Sequence, residues 1–196
     1  MTDRHYDIII IGTGAGGGTL AHHLAPSGKN ILILERGTFL PREKDNWNPV
    51  AVTAKDRYFN AETWSDKDGK DLKPAAGYWV GGNTKLYGGT LFRAREREFD
   101  EIVHKGGISP EWCLKYADFE PYYTQAEKLY HVHGRRGLDP TEPWTTEEYA
   151  YPAISHEPRI QAVSDDLVAQ GLHPFYLPMS IKLNEAQRFL SECIRC

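Results

Sequence analysis

Cysteine is scarce in this chain: Cys113, Cys193 and Cys196 are the only three among 196 residues. Three thiols make no disulfide framework, so a reducing compartment, the cytoplasm, is the expectation. No apolar run approaches the roughly 20 residues a membrane-spanning helix needs. A strand-like pattern begins within six residues of Met1, so a secretory leader is not expected either. A cationic surplus is also lacking. Lys and Arg number 23 against 27 Asp and Glu, a net charge of -4, which excludes the basic footprint of a nucleic-acid binder. The one local concentration is Arg93, Arg95 and Arg97, alternating with Ala94 and Glu96. Neither an internal repeat nor a low-complexity tract is visible. What remains is a globular composition, 40% hydrophobic and 26% charged.

Against these absences, the first forty residues are dense in signal. Tyr6-Asp7 leads into Ile8-Ile9-Ile10-Ile11, and Gly12, Gly14 and Gly17 follow in G-x-G-x-x-G spacing. A second apolar run, Ile31-Leu32-Ile33-Leu34, ends at Glu35, 23 positions after Gly12. Strand, tight turn, helix, strand and acid is the context in which this spacing denotes a dinucleotide site. Four isoleucines suit a strand buried on both faces of a parallel sheet. Gly12 would allow the sharp turn, Gly14 the approach of a pyrophosphate, and Gly17 close packing of helix on sheet. A helix from about Gly14 to Ala25, stopped by Pro26-Ser27-Gly28, would aim its N-terminal N–H groups at the diphosphate. Glu35 would accept hydrogen bonds from the adenosine ribose, and its charge disfavours a 2′-phosphate. At this point NAD and FAD both remain open.

Residues 38–75 read as a polar, irregular excursion with no sustained period, a length of loop that is usually functional or partly disordered. Asp118 has the character of a helix N-cap with Pro121 in the first turn, and Phe119, Tyr122, Tyr123, Ala126, Leu129 and Tyr130 recur at helical spacing. Residues 134–144 form a loop. A further helix is predicted from about Pro158 to Gln170, with Ile160, Val163, Leu167 and Val168 on one face and Gly171 as its stop. The prolines of His173–Pro178 hold that stretch extended. A second glycine cluster, Gly81-Gly82 and Gly88-Gly89, brackets Asn83 and Thr84. It is either a flexible turn or a backbone-lined loop against a phosphate or planar ring, where a Cβ would obstruct approach.

These segments together resemble the glucose–methanol–choline (GMC) oxidoreductases. The resemblance is carried by Tyr6–Gly17 with Leu34-Glu35-Arg36-Gly37, by Val80–Gly88 as the family's G-G-S-S-x-x-N-G loop, and by Asp118-Phe119-Glu120-Pro121-Tyr122-Tyr123 with Ala126-Glu127. It implies an α/β fold: an incomplete Rossmann-like FAD-binding domain over 1–150, including the excursion, and the start of an α+β substrate domain over 151–196. It implies FAD, with Gly12, Gly14 and Gly17 at the pyrophosphate, Glu35 at the adenosine ribose, Gly81, Gly82, Asn83 and Thr84 running along the pyrophosphate and toward the isoalloxazine, and Ala15, Arg36 and Gly88 as further cofactor-binding residues. Leu86 stands where some sugar-oxidising relatives attach flavin through His, so non-covalent FAD is expected. Tyr87 stands where many members have Asn, which removes one expected side-chain amide. The implied reaction is oxidation of a CH–OH group of an alcohol or sugar by hydride transfer to flavin N5. The family's catalytic His pair lies beyond Cys196, so the chain is expected to be the N-terminal portion of a longer enzyme and no catalytic residue is assigned within it. A catalytically incomplete FAD-binding fragment is one alternative. A nicotinamide-dependent dehydrogenase is another, against which the second glycine cluster and the excursion argue.

Several residues invite more than they support. His131 and His133 lack the companions of a metal site, and none is assigned. His22-His23 is most simply helix surface. Cys193-x-x-Cys196 has no second pair in reach.

Overall fold

The computed structural model describes residues 4–192. It resolves two compact units, one up to Tyr87 and the other from Gly88 onward. In the first, Ile8–Ile11 (β1) and Ile31–Leu34 (β2) pair in parallel, Ile8 opposite Ile31 through Ile11 opposite Leu34. Parallel neighbours require a crossover, supplied here by α1, Ala15–Leu24. A short 3-10 turn at Ala25–Ser27 follows, and Gly28, at φ +72°, ends it where the Pro26-Ser27-Gly28 stop predicts. The chain is thus mixed α/β, with β1–α1–β2 as a βαβ unit.

The isoleucine run departs from expectation. Ile10 is buried, but Ile9 and Ile11 are 58% and 85% exposed. Side chains alternate across a strand: Ile10 lies on the α1 side, its Cγ2 only 3.2 Å from where a Gly17 Cβ would be. Helix α1 covers one face, and the other, with Ile9, Ile11 and Leu34, is left open.

The excursion over 38–75 has more order than its sequence suggests. Lys44–Trp47 forms a 3-10 turn and Val50–Ala54 a single π-helical turn. Trp64–Ser65 (β3) and Asp71–Leu72 (β4) form a hairpin, whose tip is tied by Asp68 and Lys70 N–H groups donating to Asp66 Oδ1 at 2.9 Å. Buried Ala51 and Tyr58 make a small core of its own. The Tyr58 hydroxyl donates to Glu43 at 2.9 Å, and Trp79 Nε1 donates to the Tyr58 carbonyl at 2.9 Å. The excursion is therefore fastened to the strand-like segment that leads into the second glycine cluster.

In the second unit Ile102–His104 (β5) and Gly107–Ser109 (β6) form a hairpin. Val132–Gly134 (β7) is the centre of a three-stranded sheet, flanked in parallel by Tyr151–Pro152 (β8) and antiparallel by Met179–Ser180 (β9). Helix α2 spans Tyr116–Leu129 and α3 spans Pro158–Ala169. The α3 bounds match the prediction, with Gly171 at φ +78° beyond its end. Its apolar stripe is largely exposed, however, at Ile160, Val163 and Val168. Among the described residues no helix is long and apolar enough to cross a membrane.

Helix α2 corrects two expectations. It begins at Tyr116, not after Asp118: Lys115 is the N-cap, and Asp118, at the third helical position, accepts the Lys115 N–H at 2.8 Å. Pro121 accordingly sits inside the helix. The aromatic spacing also misleads about burial. Tyr122 is 66% exposed, and the most deeply buried stripe is Tyr116, Glu120, Thr124 and Glu127. These residues surround Arg93, which is itself buried. Arg93 Nε and Nη2 grip Glu127 in a bidentate pair at 2.7 Å each. Nη1 reaches Tyr116 at 3.0 Å and Glu120 at 3.1 Å, and Nη2 also reaches Thr124 at 2.9 Å. Arg136 extends the chain of charges, bridging Glu127 at 2.6 Å and Glu142 at 2.7 Å, with its guanidinium 3.6 Å from the centre of the Tyr149 ring. A guanidinium forked onto carboxylates is the geometry in which buried charge is best tolerated.

Burial pushes the Glu120 carboxyl up, but hydrogen bonds from the Thr146 N–H, the Thr124 and Thr146 hydroxyls and Arg93 outweigh it and hold the group at about 2. A depressed folded-state pKa contributes stability above the unfolded value, here 4.5, and loses it as pH falls from there toward about 2. The urea midpoint of the second unit, followed by Trp fluorescence, is therefore expected to drop progressively between those two pH values. A flat midpoint across that window would contradict this account of Glu120.

Candidate cofactor-binding site

The site is built from the backbone outward. β1 delivers the chain to Gly12, whose N–H donates to the Leu34 carbonyl at 2.7 Å and ties the turn to the end of β2. Gly14 is the extended N-cap of α1, and an added Cβ there meets nothing within 4 Å. Space is open at the position where a ligand would approach. At Gly17 the reverse holds, because a Cβ would lie 2.0 Å from the Gly12 carbonyl oxygen. Any side chain would drive the helix off the turn. The first turn of α1, which includes Ala15, carries no acidic side chain. It is a positive end without an internal counter-charge.

The second glycine cluster packs against this turn. Gly81 has φ +100° and opens a short 3-10 turn over Gly82–Leu86. A Cβ on Gly82 would come 3.1 Å from Gly14 Cα, so the two loops are in backbone contact. Their N–H groups are partly committed: Gly82 donates to the Trp79 carbonyl at 2.7 Å, and Gly81 donates to the Thr13 hydroxyl at 2.9 Å. Asn83 Oδ1 accepts the Gly77 N–H at 2.8 Å, and the Thr84 hydroxyl donates to the Gly81 carbonyl. Both side chains thus brace their own loop. Beside it lies a cleft of about 500 Å³, lined in part by Phe39, Trp47, Val80, Lys85 and Leu86.

Glu35 sits at the meeting point. Its Oε2 accepts the Thr13 N–H at 2.9 Å and the Thr13 hydroxyl, and Oε1 accepts the Gly37 N–H at 2.9 Å. The Thr13 hydroxyl first, then the Gly37 and Thr13 N–H groups, hold the carboxyl at about 2, so it is charged at neutral pH.

The structure therefore brings Gly12, Gly14, Ala15, Gly17, Glu35, Gly81 and Gly82 into one cradle. Asn83 and Thr84 follow on its second wall. Arg36 is turned to other work: its guanidinium pairs with Glu62 at 2.7 Å and lies 3.7 Å from the centre of the Tyr78 ring. Gly88 opens the second unit. Thr13 is the residue that sequence reasoning missed. The available signal was a hydroxyl between two glycines, at the turn facing a strand that ends in an acid. Of the residues that invite over-reading, His133 is buried with Nδ1 2.9 Å from the Pro152 carbonyl, and His131 stacks on Tyr151 at 4.8 Å. His22 and His23 are exposed on α1. Cys193 and Cys196 lie outside the described residues.

No family model matches the chain. Among curated proteins it is similar to 6'''-hydroxyparomomycin C oxidase of Streptomyces lividus, 31% identical over 186 residues that cover 91% of this chain and 32% of the relative. It is similar to paromamine 6'-oxidase of Streptomyces fradiae at 30% over 187 residues, covering 91% of this chain and 31% of that protein. The chain thus spans about a third of the length of the curated relatives it matches. Among solved structures, pyridoxine 4-oxidase from Mesorbium loti superposes with a TM-score of 0.51 at 19% identity, covering 97% of this chain and 40% of that one.

Proposed function

We propose a function for a chain that belongs to the glucose–methanol–choline (GMC) oxidoreductase family: it forms the FAD cradle of an enzyme that oxidises a CH–OH group of an alcohol or sugar. The observation that carries this reading is the backbone contact of the two glycine loops, Gly82 against Gly14, with an ionised Glu35 at their junction. A dinucleotide needs an open backbone channel, N–H donors and an acceptor for its ribose. The space at Gly14, the positive end of α1 and the ionised carboxylate of Glu35 answer those three needs. Because Gly81 and Gly82 spend their N–H groups internally, this reading gives them clearance, not donation, and leaves the diphosphate to the first turn of α1. Asn83 and Thr84 would line the path toward the planar ring, and Arg36 and Gly88 are the further cofactor-binding residues that the family resemblance implies. The charge of Glu35 opposes a 2′-phosphate. With Leu86 where a flavin-attaching His would stand, the cofactor is held without a covalent bond.

Bound FAD supplies the oxidising chemistry, accepting hydride from a hydroxyl-bearing carbon. The residues of this chain bind and orient it; none of them is proposed as the catalytic base. The βαβ unit is read as the start of a Rossmann-like FAD-binding domain. That domain takes in residues 1–150, and 151–196 begin a substrate domain. The relatives named as oxidases of paromamine and a hydroxyparomomycin make polyhydroxylated sugars the first substrates to try. The protein is expected to quench FAD fluorescence on titration, and heat should release FAD from the material as purified. Release of NAD with no flavin would overturn the reading.

A further inference from the structure

We infer that Thr13 is a positioning residue whose hydroxyl holds the second glycine loop in place over the first, so that the backbone at Gly81 is tied to the ribose-binding carboxylate of Glu35. The inference rests on the FAD reading of this site for its consequence, but its geometry stands apart from any ligand.

The direction of the chain of hydrogen bonds is fixed by chemistry. A backbone N–H can only donate and an ionised carboxylate can only accept. Gly81 donates to Thr13 Oγ1 at 2.9 Å, so the hydroxyl must accept there and turn its single proton to Glu35, with which it is in contact. The Thr13 N–H adds a second bond to the same oxygen at 2.9 Å. Gly81 is 68 residues distant in sequence, and this hydroxyl links it to both the first turn and the end of β2. Hydrogen bonds in series polarise one another, and an ionised terminus strengthens them. Thr13 therefore fixes how closely the second glycine loop sits on the first, where Gly82 packs against Gly14.

Two variants and one measurement on the unmodified protein test this. Thr13→Val keeps the shape and deletes the hydroxyl; Thr13→Ser restores it. In the protein without FAD, hydrogen exchange at the Gly81 amide is expected to rise about tenfold or more in Thr13→Val, the loss of its hydrogen bond to the hydroxyl. Exchange should stay near the unmodified rate in Thr13→Ser, and amides in the middle of α1 should keep theirs in both. FAD affinity should fall at least about tenfold in Thr13→Val and recover in Thr13→Ser. In the unmodified protein the Thr13 hydroxyl proton should be visible by NMR, with a cross-peak to the Gly81 amide. Unchanged Gly81 exchange in Thr13→Val, or Thr13→Ser exchanging as fast as Thr13→Val, overturns the inference. Should Thr13→Val fail to fold, a missing cross-peak in the unmodified protein overturns it equally. If the exchange pattern holds but the unmodified protein binds no FAD, the tether stands and the cofactor reading falls.

Discussion

Arg93→Met is expected to cost the second unit about 3–5 kcal/mol, enough to unfold much of it under conditions where the unmodified protein is native. The reason lies in what the substitution leaves behind. All five N–H bonds drawn by Arg93 end on Glu127, Glu120, Tyr116 and Thr124, every one of them buried. Methionine fills the volume and supplies none of these donors. Glu127 keeps Arg136 as a partner, but Glu120 loses its only cation among the described residues and retains hydroxyl and N–H donors from Thr124 and Thr146. Arg93→Lys should recover little, because three ammonium protons on a flexible stem cannot reproduce the fork. The measurement is urea unfolding followed through Trp144, which packs edge-on against Tyr116 at 5.5 Å. A shift under about 1 kcal/mol would mean that the buried charges are satisfied without Arg93.

Gly37→Ala is the second large effect, and it falls on the first unit. A Cβ at this position would lie 2.1 Å from the Tyr78 carbonyl oxygen, 2.2 Å from its carbon and 2.6 Å from the Trp79 nitrogen. All three are backbone atoms, so no side chain can swing aside. The pairing of Thr38 with Trp79, and the bond from the Val80 N–H to the Thr38 carbonyl at 2.9 Å, hold these segments together just before the second glycine loop. Forcing them apart is expected to cost about 3 kcal/mol, the upper end of ordinary overpacking. It should also weaken FAD binding, because Gly37 donates to Glu35. Gly28→Ala is the natural control. Space there is open and only the left-handed backbone at φ +72° resists, which is worth about 1–2 kcal/mol. Thermal unfolding of the two variants side by side separates steric from conformational cost. Equal losses would show that the contact with Tyr78 relaxes freely.

The parts of this structure that the sequence made legible are those whose causes are local. An isoleucine run, a glycine spacing and a closing acid specify β1–α1–β2 because each acts within a few residues. Pro158 and Gly171 bracket α3 for the same reason. Where the cause is distant, the sequence misleads. Arg93 belongs to an alternating Arg-Ala-Arg-Glu-Arg run that has the look of a solvated surface. Its partners on α2 are interleaved with tyrosines, whose spacing draws attention to the wrong face. Asp118 was ambiguous because aspartate serves both as N-cap and at the third helical position, and the extended backbone of Lys115 decides between them. Burial of β1 failed as an expectation because an apolar strand reports the need for cover, not its presence. Where the two glycine loops meet, the glycine spacing was legible and Thr13 was not, since its hydrogen bond is made to the distant Gly81.

The hydrogen bonds that Glu35 accepts from Thr13 and Gly37 have a consequence for anyone redesigning this protein. Replacing the acid at the end of the second strand is the obvious way to make a dinucleotide site accept a 2′-phosphate. Here that replacement would also cut the strut joining three backbone segments, so a library varying Glu35 alone would lose folded members before it sampled altered selectivity. A workable scheme varies Thr13 and Glu35 together, keeping an acceptor for the Gly81 and Gly37 amides while moving the negative charge elsewhere.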